Sequence, residues 1–191
     1  MLGIRIDGDT SLHQLEEQHS GRLFALVNTN RSRLRQWLPW LDQNTTVEHT
    51  RAFIKATLQQ FAEGSGFACG VWHRGDLAGV IGLHYIDHAN RLTGIGYWVG
   101  EAHQGKGLVT RACAALLDHV FGELRLNCVE IRCAVGNTRS CAIPERLGFT
   151  KEGILRSRQW LYDRFVDHVV YSMLASDWSA RSGQSNAHPP E

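Results

Sequence analysis

The chain has 191 residues, a length that suits one domain with a full core. Apolar residues make up 43% and charged residues 20%, the values of an ordinary soluble globular protein. The formal net charge is +1, so nothing electrostatic demands nucleic acid or an anionic membrane as partner, and no apolar run approaches the ~20 residues that span a bilayer.

The N-terminal MLGIRIDGD carries no basic-then-apolar signal pattern, which predicts a chain that is not exported. Residues 4–7 read as a short edge strand. Leu12, Leu15, Leu23, Leu26, Val27, Leu34, Trp37 and Leu38 recur near a 3.6 period and predict helix over 11–41, broken around 19–21 and stopped by Pro39. A second helix is predicted over 47–62, with Val47, Phe53, Ile54, Thr57, Leu58 and Phe61 on one face. The period then falls to two. Runs at 67–72 and 77–86 read as strands joined by His73-Arg74-Gly75-Asp76, where the R-G-D is better explained as a turn than as an adhesion ligand. A third strand covers 92–99.

A glycine-rich loop follows, then a helix striped with Val109, Ala112, Cys113, Leu116, Leu117, Val120 and Phe121. Val129, Ile131, Cys133 and Val135 alternate with Glu130, Arg132 and Ala134 as a half-buried strand. Asn137 or Thr138 caps a short helix that Gly148 ends in left-handed geometry, with Phe149 supplying the apolar contact. Strand-like runs at 150–161 and 165–174 flank a turn at Tyr162-Asp163-Arg164. Residues 1–178 are read as a single domain, and the polar 179–191, with its Pro-Pro, as an unstructured tail. This order predicts a mixed α/β domain with one parallel β-loop-α-β unit inside a largely antiparallel sheet.

Five cysteines, Cys69, Cys113, Cys128, Cys133 and Cys141, fall at irregular spacings with no C-x-x-C pair. They read as reduced, buried thiols of a cytoplasmic protein. His84 and His88 stand at i, i+4 on a strand end, a spacing that does not bring both to one ion, so no metal site is expected.

The loop G-E-A-H-Q-G-K-G, Gly100 to Gly107, fits the first seven places of the triphosphate-binding pattern G-x-x-x-x-G-K-[ST]. Gly107 stands where Ser or Thr would hold Mg²⁺, and no downstream strand of four apolar residues ends in Asp. The dinucleotide pattern G-x-G-x-x-G is absent as well. What remains is a strand ending in a glycine loop that opens a helix. Its free N–H groups and helix dipole suit a diphosphate without metal, with Lys106 and Arg111 adding positive charge.

Q-G-K-G-L-V, Gln104 to Val109, resembles the pyrophosphate loop of the GNAT superfamily of acetyl-coenzyme A-dependent N-acetyltransferases. N-T-R-S-C-A-I-P-E-R-L-G-F, Asn137 to Phe149, is similar to its second coenzyme segment. The I-G-Y-W strand, W-L-P-W at Trp37 to Trp40 and F-V-D-H at Phe165 to His168 are similar to the RimJ/RimL type, which acetylates ribosomal-protein N-termini. The resemblance implies the GNAT fold: a mostly antiparallel sheet of six or seven strands, splayed at a central parallel pair and flanked by about four helices. It implies acetyl-coenzyme A as cosubstrate, bound by the backbone at Trp98 and Val99, by Gln104, Gly105, Lys106, Gly107, Leu108, Val109 and Thr110, and by Asn137. Three positions depart from the pattern. Val109 replaces a Gly or Ala of the loop, Pro144 stands where many relatives carry a proton-donating Tyr, and Gly94 where many carry a strand carboxylate.

Acetyl transfer needs a neutral amine, a polarised carbonyl and a proton for the leaving thiolate. An α-amine, with a pKa of about 8, is already partly neutral near pH 7, so a modest base suffices. Glu101 is the candidate base, beside the loop, and the resemblance implies the same role. Ser140 is the candidate proton donor, replacing what Pro144 cannot supply. Backbone N–H groups near Trp98 and Val99 are the candidate oxyanion donors. His103 borders the loop, and Trp37, Trp40, Tyr85 and Trp160 are candidate walls of an acceptor groove. The expected acceptor is a protein N-terminus. A polyamine or antibiotic amine, and a non-catalytic coenzyme A sensor or scaffold, are the alternatives. A homodimer is left open.

Overall fold

The computed structural model describes residues 2–185, and its two sequence periods resolve into eight strands and six helices. The strands are β1 (Gly3–Arg5), β2 (Thr10–Gln14), β3 (Phe67–His73), β4 (Asp76–Asp87), β5 (Leu92–Val99), β6 (Cys128–Ala134), β7 (Thr150–Leu161) and β8 (Arg164–Leu174). The helices are α1 (Ser20–Thr29), α2 (Arg31–Leu34), α3 (Val47–Ala62), α4 (Leu108–Gly122), α5 (Thr138–Leu147) and α6 (Ala175–Ser185). All eight strands form one sheet in the order β1-β2-β3-β4-β5-β6-β8-β7. Every neighbouring pair is antiparallel except β5 and β6.

The strand beyond the expected six or seven is β2, which replaces the start of the helix expected over 11–41. Thr10, Leu12 and Gln14 are buried while His13 is exposed, a strict alternation. Two of its three inward residues are polar, so the apolar pattern alone does not reveal it. The rest of that stretch divides into α1 and the single turn of α2. Helix 47–62 forms as expected, and Thr46 caps it by accepting the His49 N–H at 3.3 Å. Its buried stripe is Thr50, Ile54 and Thr57, whereas Phe53 stays exposed.

The sheet carries helices on both faces. Leu23, Val27, Leu34 and Ile54 of α1–α3 pack with Leu15, Ala68, Leu77 and Val80. Across the sheet, Leu108, Ala112, Leu116 and Val120 of α4 pack with Leu12, Ile81, Ile95 and Ile131. Cys69, Cys113, Cys133 and Cys141 are buried and Cys128 is half-buried, all as free thiols. Residues 179–185, expected to be unstructured, belong to α6, which Trp178 docks on α4 by donating to Asp118 at 2.7 Å. Residues 186–191 lie outside the described residues.

Two features position a site. The parallel β5–β6 ladder runs only from Leu92↔Cys128 to Ile95↔Ile131, although β5 continues to Val99 and β6 to Ala134. The two strands therefore part over their C-terminal halves. α4 follows β5 across the loop 100–107 and α5 follows β6 across residues 135–137, so both helix N-termini open at this parting. Gly148, at φ 77°, ends α5, and the Phe149 N–H donates to the Pro144 carbonyl at 3.0 Å.

Candidate functional site

The parting of β5 and β6 opens into a cleft of about 1210 Å³. Its walls come from α2 and the following turn, the end of β5, the glycine loop with the first turn of α4, and the first turns of α5.

At the loop end, Gly105 and Gly107 take φ of 72° and 67°, backbone that a side chain disfavours. Gly107 is the N-cap of α4, and no side chain caps the helix. The first turn-closing bond runs from the Arg111 N–H to the Gly107 carbonyl at 3.1 Å. The amides of Leu108, Val109 and Thr110 thus precede the intrahelical ladder, an arrangement suited to an anion. Val109 contributes its amide like its neighbours. Arginines frame this end. Arg111 pairs with Asp7 at 3.1 Å, Arg139 donates to Gln104 Oε1 at 2.8 Å, and Arg146 donates to Thr110 Oγ1 at 3.3 Å.

Along the strand, the Gly100 N–H donates to the Ala78 carbonyl of β4 at 2.8 Å, which fixes the alternation of β5. The backbone of Trp98 faces β4 in the same sense. The N–H and carbonyl of Tyr97 and Val99 face the parted edge instead. Of the two expected backbone donors, Val99 therefore presents its N–H to the cleft, while Trp98 contributes its side chain. The Val99 carbonyl is taken by Arg33 Nη2 at 2.6 Å.

Every expected coenzyme residue lines this cleft except Lys106, whose carbonyl accepts from Arg111 Nη1 at 3.0 Å. Asn137 does line it. Its Oδ1 accepts the Ser140 N–H at 3.3 Å, which leaves the amide NH₂ for a ligand. Ser140 lines it too. Pro144 has no N–H to offer the Ser140 carbonyl one turn back, and Tyr97 Oη donates to that carbonyl at 3.0 Å. Ser140 Oγ lies 3.4 Å from Tyr97 Oη and 3.1 Å from Cys133 Sγ. Burial raises the Tyr97 hydroxyl well above its ordinary pKa and pushes the Cys133 thiol up to about 11.

Glu101 is not brought into the same cleft. It is exposed and borders a second one, of about 810 Å³, between α1 and the β3–β4 turn. Asn30 and Arg33 connect the two. Asn30 Oδ1 accepts the Glu101 N–H at 2.7 Å and lies 3.5 Å from Arg33 Nη2. Burial lowers the Arg33 pKa, with Glu101 acting against it and Arg139 with it. His103 borders both clefts, and its Nδ1 is buried without a partner. Burial lowers its pKa, and the Lys106 cation adds to the effect. Of the four aromatics expected to wall an acceptor groove, only Trp37 lines the cleft. Trp40 packs on Trp98 at 6.4 Å between ring centroids, and Trp160 stands exposed against Phe165. Among the described residues no group of three or more His, Cys, Asp or Glu is placed to hold a metal.

Arg33, Tyr97, Arg139 and Arg146 line the cleft and Cys133 lies behind Ser140; the sequence reading assigns none of them. Arg33 meets Val99 across 66 positions, and no local pattern announces such a contact. Tyr97 was within reach, since it stands two residues before Val99 and so shares its orientation.

A family model described as an acetyltransferase (GNAT) domain matches residues 10–150. YdaF of Bacillus subtilis (strain 168) is 36% identical over 179 residues, 93% of this chain and 98% of YdaF. The ribosomal-protein-serine acetyltransferase of Escherichia coli (strain K12) is 30% identical over 171 residues, 90% of this chain and 96% of that enzyme. Among solved structures, RimL, the ribosomal L7/L12 alpha-N-protein acetyltransferase in complex with coenzyme A, superposes with a TM-score of 0.89 at 27% identity. The match covers 92% of this chain and 99% of RimL.

Proposed function

Because the chain belongs to the GNAT acetyltransferase family, we propose that it transfers acetyl from acetyl-coenzyme A to the α-amine of a protein N-terminus, a ribosomal protein being the favoured acceptor. One observation carries the reading. The uncapped, glycine-opened N-terminus of α4 and the unpaired edge of β5 lie in a single cleft, which suits a cosubstrate with phosphates at one end and amides along its arm.

In this reading the pyrophosphate sits on the amides of Gly105 to Thr110, within the field of Lys106, Arg111, Arg139 and Arg146. The pantetheine arm adds to β5 as a short extra strand, with Asn137 NH₂ as a further donor. Arg33 already occupies the Val99 carbonyl, so pairing stops there and the Val99 N–H is left for the thioester oxygen. That N–H meets the charge that develops as the amine attacks. Glu101, which borders the adjoining cleft and not the coenzyme cleft itself, takes the amine's proton through water. Arg33 and Asn30, which tie its backbone to the end of β5, support that role. As the C–S bond breaks, Ser140 hydrogen-bonds the coenzyme sulfur and supplies its proton. The same reading makes residues 1–178 one catalytic domain, with α6 closing on it, working in the cytoplasm.

The test is acetyl transfer to a panel of N-terminal peptides, polyamines and aminoglycosides, read by mass. The reading requires peptides to be acetylated with the highest kcat/KM. Preference for a polyamine or an antibiotic would replace the acceptor, and coenzyme binding without any transfer would leave a sensor or scaffold. Glu101→Gln and Ser140→Ala are each expected to lower kcat by about tenfold or more with little change in coenzyme affinity. Wild-type rates in both would remove these two assignments.

A further inference from the structure

Ser140 does not stand alone in the cleft wall; it closes a small buried network that fixes where each proton points. Pro144 leaves the Ser140 carbonyl without its helical N–H, and the Tyr97 hydroxyl donates there at 3.0 Å. Tyr97 has then spent its only proton, so across the 3.4 Å contact it accepts from Ser140 Oγ. The remaining neighbour of Ser140 Oγ is Cys133 Sγ at 3.1 Å, on β6 and 4% exposed. Tyr97 Oη lies farther from that sulfur, at 3.9 Å, so the thiol proton is directed at Ser140.

A serine hydroxyl is a poor acid. Passing its proton to a thiolate is strongly uphill unless Oγ regains one in the same event. Cys133 is the group placed to return it, from the side of Ser140 away from the cleft.

We infer that Cys133 is the second proton carrier of the reaction, a positioning residue that backs Ser140 while Ser140 faces the departing coenzyme sulfur. This rests on the Ser140 assignment made above. The amine nitrogen bonds to the acetyl carbon and the C–S bond breaks, its electron pair staying on sulfur. The Ser140 hydroxyl rotates from its long contact with Tyr97 Oη toward that sulfur and passes its proton there, as the Cys133 proton passes to Ser140 Oγ. The proton shed by the acceptor nitrogen leaves through Glu101. When the coenzyme departs, water admitted to the cleft reprotonates Cys133 by the same path reversed. Protons and charge balance over the turnover, and no oxidant or reductant is used. Burial disfavours the Cys133 thiolate, so the thiol is protonated at rest and its thiolate is drawn back to the neutral form once the coenzyme leaves.

Single-turnover acetyl transfer to an N-terminal peptide tests the inference in wild type, Cys133→Ala, Cys133→Ser, Ser140→Ala and the double variant Cys133→Ala/Ser140→Ala. Cys133→Ala is expected to slow transfer about tenfold while KM for acetyl-coenzyme A stays within about twofold. Cys133→Ser, which keeps a hydroxyl proton, is expected to fall between that variant and wild type. The double variant is expected to be no slower than Ser140→Ala, because the two groups act in one chain. Rates in H₂O/D₂O mixtures are expected to bow with isotope fraction in wild type and to become linear in Cys133→Ala. A structural role for the thiol would not produce that change. Melting temperatures check folding, and if Cys133→Ala does not fold, Cys133→Ser and Cys133→Val give the same comparison. Wild-type transfer in the folded Cys133 variants, or additive losses in the double variant, would overturn the inference while leaving Ser140 in place. Wild-type transfer in Ser140→Ala would remove the Ser140 assignment and this inference with it.

Discussion

Gly107 concentrates two demands on one residue. Its φ of 67° turns the chain from the loop into α4, and an added Cβ would stand 3.1 Å from Arg111 Nη1. That guanidinium nitrogen holds the Lys106 carbonyl, so displacing it disturbs the loop that follows Gly105. Gly107→Ala is expected to cost about 1–2 kcal/mol in unfolding free energy from the left-handed backbone alone. Coenzyme affinity should fall several-fold beyond that, measured by calorimetric titration against wild type. The loop was legible because its chemistry is local: glycines and a helix start lie within eight residues. That Ser140 and Asn137 line the cleft was legible for the same reason, since both stand at the start of a capped helix. The partners that set their chemistry were not. Tyr97 reaches the Ser140 carbonyl across 43 positions, and it does so because Pro144 withholds an N–H. Glu101 was expected in the coenzyme cleft from its nearness in sequence to the loop, yet the turn after Gly100 directs it to the second one. A residue's distance along the chain from a site says little about the wall it joins.

At the scale of elements, caps and turns carried the sequence reading and polar burial defeated it. Gly148 ends α5 as expected, and of Asn137 and Thr138 it is Asn137 that caps it, while the β3–β4 turn is set by Arg74 and Gly75, both at positive φ. β2 was missed because Thr10 and Gln14 point inward with Leu12, so neither period stood out in apolar residues alone. The β7–β8 hairpin shows how one element fixes another. Tyr162, in its turn, donates from Oη to the Leu38 carbonyl after α2. Arg35 lies over the Tyr162 ring at 3.8 Å and makes a two-point pair with Asp42, both bonds at 2.8 Å. The exposed ion pair contributes little by itself. The hydroxyl bond matters more, since Leu38 and Trp37 line the α2 end of the cleft. Tyr162→Phe keeps the stacking and deletes that bond. It is expected to lower unfolding free energy by about 1 kcal/mol in urea titrations. It should also raise KM for the peptide acceptor several-fold while leaving coenzyme affinity unchanged. Equal losses in both affinities would mean that the hairpin supports the cleft as a whole and not its acceptor end.

For the whole molecule, the sequence gives the class of the sheet but not its strand order. β8 lies between β6 and β7, an arrangement settled by long-range pairing such as Ile131↔Tyr171 and Ile154↔Val169. Packing helices against both faces of that sheet leaves histidines partly buried at its margins, and they set the response of the fold to pH. His119 on α4 packs edge-on against Phe67, with ring centroids 6.3 Å apart, and burial lowers its pKa. His168 on β8 shares a hydrogen bond with Gln159 Oε1 at 2.8 Å. Burial lowers its pKa first, and the nearby cations Arg132 and Arg158 lower it further. Both side chains bind a proton less readily folded than unfolded. Between the folded value and the unfolded one near 6.5, the unfolded chain therefore holds more protons, so stability rises with pH there and falls as pH drops. Asp7 and Asp42 are also lowered, the first by the Asp9 backbone N–H and the second by Arg35. Their contribution is lost as pH falls from the ordinary carboxylate range toward the lower folded values. The melting temperature is expected to be level from pH 8 to 7 and to decline from about pH 6.5 downward, before any carboxylate is protonated. His119→Gln and His168→Gln should each flatten part of that decline. Saturating coenzyme A should raise the whole curve, by about 2.7 kcal/mol at 100 times its dissociation constant, without moving the inflection. A profile level down to pH 5 would show that neither histidine is held neutral by the fold. An inflection that coenzyme moves would instead point to His103, the histidine that borders the cleft itself.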